Sequence, residues 1–393
     1  MNDVTRQFRD FFVSLKLTVV LLALSLILVF AATLDQVHLG IWGVQEKYFQ
    51  TFVVLARFGD FPVPVFPGGY FIGGLLLLNL LSAHLYRLKL EWRKSGIQLT
   101  HSGLIVLLVG ELLTGLWQED FQMTITEGNS RNYSESFRLY ELVVVDTTDP
   151  KFDDVVAIPD SHLARATLVQ HPKLPFRVAT KAYYPNTALA RRDGNALSPA
   201  AAAVPTATQG VGPNVVVNPL PLTYKMNEMN VPSAVVELIG ADGSLGTWLV
   251  SPHIGAPQTL SHAARTWRLE LRIARDYKPF SVQLLKVTHD VYVGTSTPKN
   301  FSSRIKITTP DGQDDREVLI YMNNPLRYAG YTFYQHQMDS SRGQTGLQVV
   351  RNPSWLLPYI ACIMMTFGLL IQFGLSLRAF ITKRRPTVQS AAT

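Results

Sequence analysis

The sequence predicts a membrane protein with four transmembrane α-helices in a three-plus-one arrangement and a large all-β exported domain inserted between the third and fourth. Three observations predict it. Apolar residues make up 47 % of the 393 residues and charged residues only 17 %, below the ~25 % of an ordinary soluble domain. The apolar residues are gathered into four blocks. The long stretch between blocks three and four alternates apolar and polar side chains with the period of two that a half-buried strand requires.

A helix needs about 20 apolar residues to cross the hydrocarbon. The expected spans are residues 15–34, 70–86, 101–117 and 355–377. The second and third are slightly short and draw on their flanks. The first reads as a retained span, because no small-residue cleavage site follows it; Asp35, Gln36, Val37 and His38 come next. Lysine and arginine gather on the cytoplasmic side of a membrane. Here they stand before the first block (Arg6, Arg9, Lys16), between the second and third (Arg87, Lys89, Arg93, Lys94) and after the fourth (Arg378, Lys383, Arg384, Arg385). Both termini are therefore expected in the cytoplasm of a cell membrane protein, and residues 118–352 outside. Residues 1–117 form the N-terminal membrane region, and 353–393 hold the last span and a basic tail.

Residues 118–352 carry 23 basic and 22 acidic side chains. The formal charge of +7 thus sits at the membrane boundaries, where it meets anionic headgroups, and no nucleic-acid partner is expected. The single cysteine, Cys362, lies in the fourth block. The exported domain has no thiol, which excludes disulfides, thiolate catalysis and cysteine-ligated zinc there.

Between the first two spans, the stretch from Phe61 to Gly69 is rich in proline and glycine, and a short interfacial helix is expected around Val44 to Arg57. In the exported domain, Trp267 to Ile273 and Ser303 to Ile307 alternate as strands do. Asp311-Gly312 offers a hairpin turn to a returning strand from Glu317 to Met322, and Asp242-Gly243 joins Val235–Ile239 to Thr247–Val250 in the same way. Phe121–Thr126, Phe137–Val145, Phe176–Tyr183 and Val282–Val287 are further strands. Antiparallel sheets in a sandwich or open barrel are expected. Residues 188–213, rich in Ala, Pro, Gly and Thr, read as a mobile loop unable to bury much apolar surface.

Polar residues within hydrocarbon are costly and are functional candidates. His84 lies near the cytoplasmic end of the second span, and His101 opens the third from the same side across a short basic loop. The helices are expected to be antiparallel neighbours with both imidazoles at similar depth. Each ring is either an axial haem ligand or an interfacial histidine bonded to backbone or headgroups. Glu111 stands about 15 Å beyond His101 at ~1.5 Å per residue. With Asn79 on the second helix it forms either a helix–helix polar clamp or a proton-transfer pair. Gly73-Gly74, and Gly103 with Gly110, are expected to permit close helix packing. The other seven histidines, from His38 to His336, show no metal-ligand spacing, and no phosphate loop or nucleophile elbow is present.

The order of elements, and several local sequences, resemble the ResB (CcsB) family of cytochrome c biogenesis proteins. These are Ser14-Leu-Lys-Leu17, Asn79-Leu-Leu-Ser-Ala-His84 with Arg87, and His101-Ser-Gly-Leu-Ile105. The longest are Gly294-Thr-Ser-Thr-Pro-Lys-Asn-Phe301 and Met322-Asn-Asn-Pro-Leu-Arg-Tyr-Ala-Gly-Tyr-Thr-Phe-Tyr-Gln335. The resemblance implies a haem-handling and scaffolding subunit that works with a CcsA/ResC-like membrane protein and delivers haem to apocytochrome c outside the cytoplasm. Thiol reductants of the same maturation route are further implied partners. It implies a transiently bound haem b, with His84 as an axial ligand to the iron and His101 as the second candidate. No Trp-rich haem-binding segment is present, so the subunit is not expected to attach haem alone. Two alternatives stand beside this reading: a b-type electron-transfer subunit with one haem between His84 and His101, and a haem-free structural scaffold. The Tyr328–Tyr334 run also has a plainer explanation, since alternating aromatics form one face of a core.

Overall fold

The computed structural model describes residues 3–59, 61–87, 91–192, 198–225, 228–295 and 298–384. Lys89 and Arg385 of the expected basic boundaries lie outside the described residues, as do Ser296 and Thr297 of the resemblance motif and 193–197 of the expected loop. The chain divides into two compact units, one drawn from 1–118, 224–226 and 352–393, the other from 119–223 and 227–351.

The first unit is helical. Helix α1 spans Asp3–Phe12, α2 Leu15–Val44, α3 Gly69–Arg87 and α4 Ser95–Trp117, and a C-terminal helix runs Leu357–Arg384. Four helices are long and apolar enough to cross a membrane. The first outruns its expected end at residue 34 and kinks at Gly40, whose φ is 70°. A side chain at Gly40 would collide with the Tyr224 carbonyl, so both the left-handed backbone and the close approach demand glycine. The interfacial helix expected over 44–57 is corrected. A five-residue π turn, Gln45–Phe49, leads into a hairpin of β1 (Val53–Phe58) and β2 (Phe61–Pro67). A two-stranded ribbon tolerates the prolines because each strand has an edge that needs no N–H.

Glycine fixes the closest helix pair. A Cβ on Gly96 would stand 2.5 Å from Gln372 N, one on Gly103 2.9 Å from Ala361 O, and one on Gly110 2.9 Å from Leu357 Cβ. These residues, seven apart, put α4 directly on the C-terminal helix. At the end of this seam the Thr114 and Ser354 hydroxyls lie 3.0 Å apart. Gly73 and Gly74, by contrast, face open space, so the close packing expected of them is absent.

The second unit is β. Its strands are β3 (Glu119–Thr126), β4 (Ser130–Asp146), β5 (Asp154–Pro159), β6 (Arg177–Tyr184), β7 (Thr187–Arg191), β8 (Val215–Pro219), β9 (Ser233–Gly240), β10 (Gly243–Val250), β11 (Gln258–His262), β12 (Arg265–Val291), β13 (Pro298–Thr308), β14 (Asp315–Tyr321), β15 (Leu326–Tyr328), β16 (Tyr331–Asp339) and β17 (Gln344–Arg351). A large sheet runs β14-β13-β12-β4-β3-β17-β16-β15, with β11 beside β12 and β5 beside β4; a smaller one runs β10-β9-β6. All these pairings are antiparallel. The expected turns at Asp242-Gly243 and Asp311-Gly312 are present, with positive φ at both glycines.

Two cores lie along β12. The first, around Trp267, Leu142 and Val236, is a sandwich between the large and the small sheet. The second, around Phe280, Phe333 and Ile305, is enclosed by the strands at the other end. The β4–β12 register shifts between Tyr277 and Val282. Pro279 falls in this gap, where a residue without an N–H breaks no ladder.

The expected unpacked loop over 188–213 is corrected. Its first residues lie in β7, which pairs with β8 just beyond its end, and a short helix Pro199–Ala202 starts on the Ser198 cap. Ala201 and Ala207 are buried, the latter in a cluster with Val217, Val235 and Leu249. Small side chains bury little area each, but they allow close approach, and composition alone underestimates such packing.

Candidate functional site

His84 and His101 both belong to the helical unit, on the facing ends of α3 and α4, and the structure connects their helices through a polar contact. The imidazole Nε2 of His84 lies 3.3 Å from Ser102 Oγ, the residue beside His101. The other nitrogen of that ring, Nδ1, is buried with no hydrogen-bond partner. A buried polar atom left unpaired costs about 1–3 kcal/mol. An interfacial anchor would place its polar edge among water and headgroups instead.

His101 is held differently. Its Nδ1 lies 2.8 Å from the carbonyl oxygen of Ile97, one turn back on α4. A carbonyl only accepts, so Nδ1 carries the proton and donates. In the neutral ring Nε2 then carries the lone pair. This is the arrangement that orients a metal-ligating histidine, with a backbone carbonyl fixing tautomer and ring plane. The donor chemistry of His101 therefore fits an axial ligand to haem iron as it stands, and that of His84 fits once Nε2 parts from Ser102.

The other polar candidates on the apolar helices separate. Asn79 is 3 % exposed and bonds to the α1–α2 junction. Its amide donates to the carbonyls of Phe12 at 2.6 Å and Ser14 at 3.2 Å, and its oxygen accepts from Thr18 at 2.6 Å. The pairing of Asn79 with Glu111 is thus corrected. Asn79 is a helix clamp, directed at α2 rather than α4, and Glu111 is exposed on its helix.

In the β unit the longest motif is a core. Phe333 is fully buried, and Phe280 meets Tyr328, Tyr331 and Phe333 at 4.8, 6.5 and 6.2 Å between ring centroids. Gln335, which closes the motif, completes a polar triangle. Ser303 donates to Gln335 Oε1 at 2.6 Å, Gln335 Nε2 donates to Thr345 Oγ1 at 3.0 Å, and the hydroxyls of Ser303 and Thr345 lie 2.8 Å apart. Sequence reading missed this triangle, because Ser303 and Thr345 carry no motif of their own. Several histidines are engaged locally: His253 with the Thr187 carbonyl at 3.0 Å, His289 stacked on Phe301 at 4.6 Å, and His336 edge-on to Phe137. Among the described residues no group of three or more His, Cys, Asp or Glu side chains could hold a metal ion. A cavity of about 450 Å³ opens over Trp267, Val156 and Leu174, and its rim charges are paired as Asp146–Arg265 and Asp154–Lys173.

Taken together, the chain is a helical unit with span-length apolar helices that carries a two-core β unit as an insertion. The ResB-like family model matches residues 255–344, from the approach to β11 through Gln344 at the start of β17. Over 92 residues the chain is 30 % identical to a protein named NrfI from Wolinella succinogenes; this covers 23 % of the chain and 10 % of that protein. The chain thus matches about a tenth of the length of this curated relative. The resemblance read from the sequence is shown over residues 255–344, which are a ResB-like segment. That segment lies wholly in the β unit, apart from His84 and His101.

Proposed function

We propose that the chain is a membrane subunit of cytochrome c biogenesis that handles haem at His84 and His101 and scaffolds its delivery to apocytochrome c. The four apolar helices cross the cell membrane. Both termini lie in the cytoplasm, and the β unit is exported. A CcsA/ResC-like membrane protein is the partner, and attachment belongs to the assembled complex, not to this chain alone. The ResB-like segment supports the pathway. The observation that carries the site is the state of the two rings. His101 is oriented through Nδ1 so that Nε2 offers a lone pair, and His84 on the preceding helix holds its Nε2 by one long contact to Ser102 Oγ. Haem b, when bound, supplies the iron porphyrin that is passed to the cytochrome. The role of these residues is to hold and orient it.

The test is the redox spectrum of the chain co-purified with its partner. Single His84→Ala and His101→Ala variants should each lose retained haem and cytochrome c maturation at normal protein abundance. Added imidazole should restore part of both, since it can occupy a vacated coordination position. Full haem in both variants would overturn the site. Haem that persists in the chain purified without its partner would favour the electron-transfer alternative.

A further inference from the structure

We propose that Ser102 is a latch on His84. Its hydroxyl occupies the one nitrogen of that ring that a metal could reach, and it must release that nitrogen before His84 can ligate iron. The inference rests on the reading of His84 as a haem ligand.

The argument turns on which nitrogen each partner takes. In His101 the partner is the Ile97 carbonyl and the bonded atom is Nδ1. The bond sits away from the coordinating edge, so it orients the ring and leaves Nε2 open. In His84 the bonded atom is Nε2, while Nδ1 is sealed from solvent among side chains that offer it nothing. Coordination through Nδ1 would require the packing around it to open. Coordination through Nε2 requires that one hydroxyl turn away and, in the tautomer that carries its proton on Nε2, that this proton move to Nδ1. At 3.3 Å that hydrogen bond is at the long, weak end of its range, as a releasable contact should be. Both assignments of the shared proton give the same result. If Ser102 donates, it covers the lone pair of Nε2; if it accepts, Nε2 carries the proton and has no lone pair. Either way the hydroxyl competes with a metal for the ring. Consecutive residues of α4 therefore act in opposite senses, with His101 presenting a ligand atom and Ser102 covering one.

Ser102→Ala should free His84. In the full chain with its partner, titrated with iron protoporphyrin IX, the variant should bind haem about two- to threefold more tightly, the equivalent of one weak neutral hydrogen bond. Ser102→Thr, which keeps a hydroxyl, should stay near the parent. A readout that needs no haem comes from ¹⁵N-histidine NMR of the full chain in bilayers. The Nε2 resonance of His84, assigned with His84→Gln, should move in Ser102→Ala and hold in Ser102→Thr. Unchanged or weaker haem binding in Ser102→Ala, at normal abundance and with haem still lost in His84→Ala, would overturn the latch alone and make Ser102 neutral or orienting. Haem retained in full by His84→Ala would overturn the ligand reading beneath it.

Discussion

Replacing Thr345 with valine keeps its shape and removes one hydroxyl, a clean probe of whether the aromatic motif is a folding device. Ser303 and Thr345 are both fully buried. In the parent, the Gln335 amide divides its two N–H groups between Thr345 Oγ1 at 3.0 Å and the Gln337 carbonyl at 3.1 Å. In Thr345→Val the second bond survives, the first N–H is orphaned, and Ser303 keeps its 2.6 Å bond to Gln335 Oε1. One partner of a half-buried amide is thus removed, which costs about 1 kcal/mol. For a unit of this size, 1 kcal/mol corresponds to roughly 2–4 °C in Tm. The assay is thermal unfolding of the full chain in detergent, followed by the near-ultraviolet signal of the aromatic core. Adding Gln335→Leu and Ser303→Ala removes every orphaned group of the triangle, so the triple variant should lose less than the sum of the singles. An unchanged melting temperature in Thr345→Val, or strict additivity, would refute the closed triangle.

Four further outcomes follow from the packing and the charges. Gly368→Val should destabilise the helical unit by about 1–3 kcal/mol, because a Cβ there stands 2.7 Å from Thr100 N and 2.8 Å from Gly96 O; unaltered protease resistance of the membrane-embedded chain would contradict the seam. Deleting Pro199–Pro205 should lower the melting temperature of the β unit by exposing the Ala207 cluster, and an unchanged melt would restore the reading of an unpacked loop. Lys278 is fully buried beside Asp276 and 3.7 Å from the Tyr331 ring centroid, and burial holds its ammonium below the usual lysine range despite Asp276. The unfolded chain then binds the proton more tightly, so stability should rise with pH from that lowered value up to the ordinary lysine value, and Lys278→Met should flatten this slope in pH-dependent melts. A reporter fused after Val350 should be active only outside the cytoplasm and one fused after Lys94 only inside, the reverse pattern refuting the charge argument.

Much of the fold was legible because it depends on period and composition. The apolar blocks, the alternation through Trp267–Ile273 and the two Asp-Gly turns are local signals, and local physics decides them. What escaped the sequence depends on partners distant along the chain. The hairpin β1–β2 was hidden because its prolines argue against a strand until the strand is known to have a free edge. Residues 199–207 read as unpacked because alanine and proline carry little hydrophobic weight singly, yet Ala207 is enclosed by Val217, Val235 and Leu249. The expected pairing of Asn79 with Glu111 failed because depth alone cannot choose a partner, and the α1–α2 junction took Asn79 instead.

The candidate site shows the same division more sharply. Residue type and depth supply two histidines and nothing to rank them, since an anchor and a ligand are the same residue type, and only the family resemblance puts His84 first. The distinction lies in single atoms. A ligand needs one nitrogen held and the other presented, and His101 meets this with a bond to a carbonyl four residues back, a contact any helical histidine could make but whose rotamer no pattern encodes. His84, which the family resemblance favours, is the ring whose reachable nitrogen is already taken. The two rings therefore differ in readiness rather than in chemistry. If both rings serve one haem, as proposed, this difference makes them non-interchangeable: His101 would meet iron through Nε2 while its Nδ1 stays bonded to Ile97, whereas His84 would first part from Ser102. On this argument the order of engagement is set on α4. A Ser102→Ala chain should therefore lose the distinction, with the single His84→Ala and His101→Ala substitutions in that background giving closer haem-binding losses than they do in the parent.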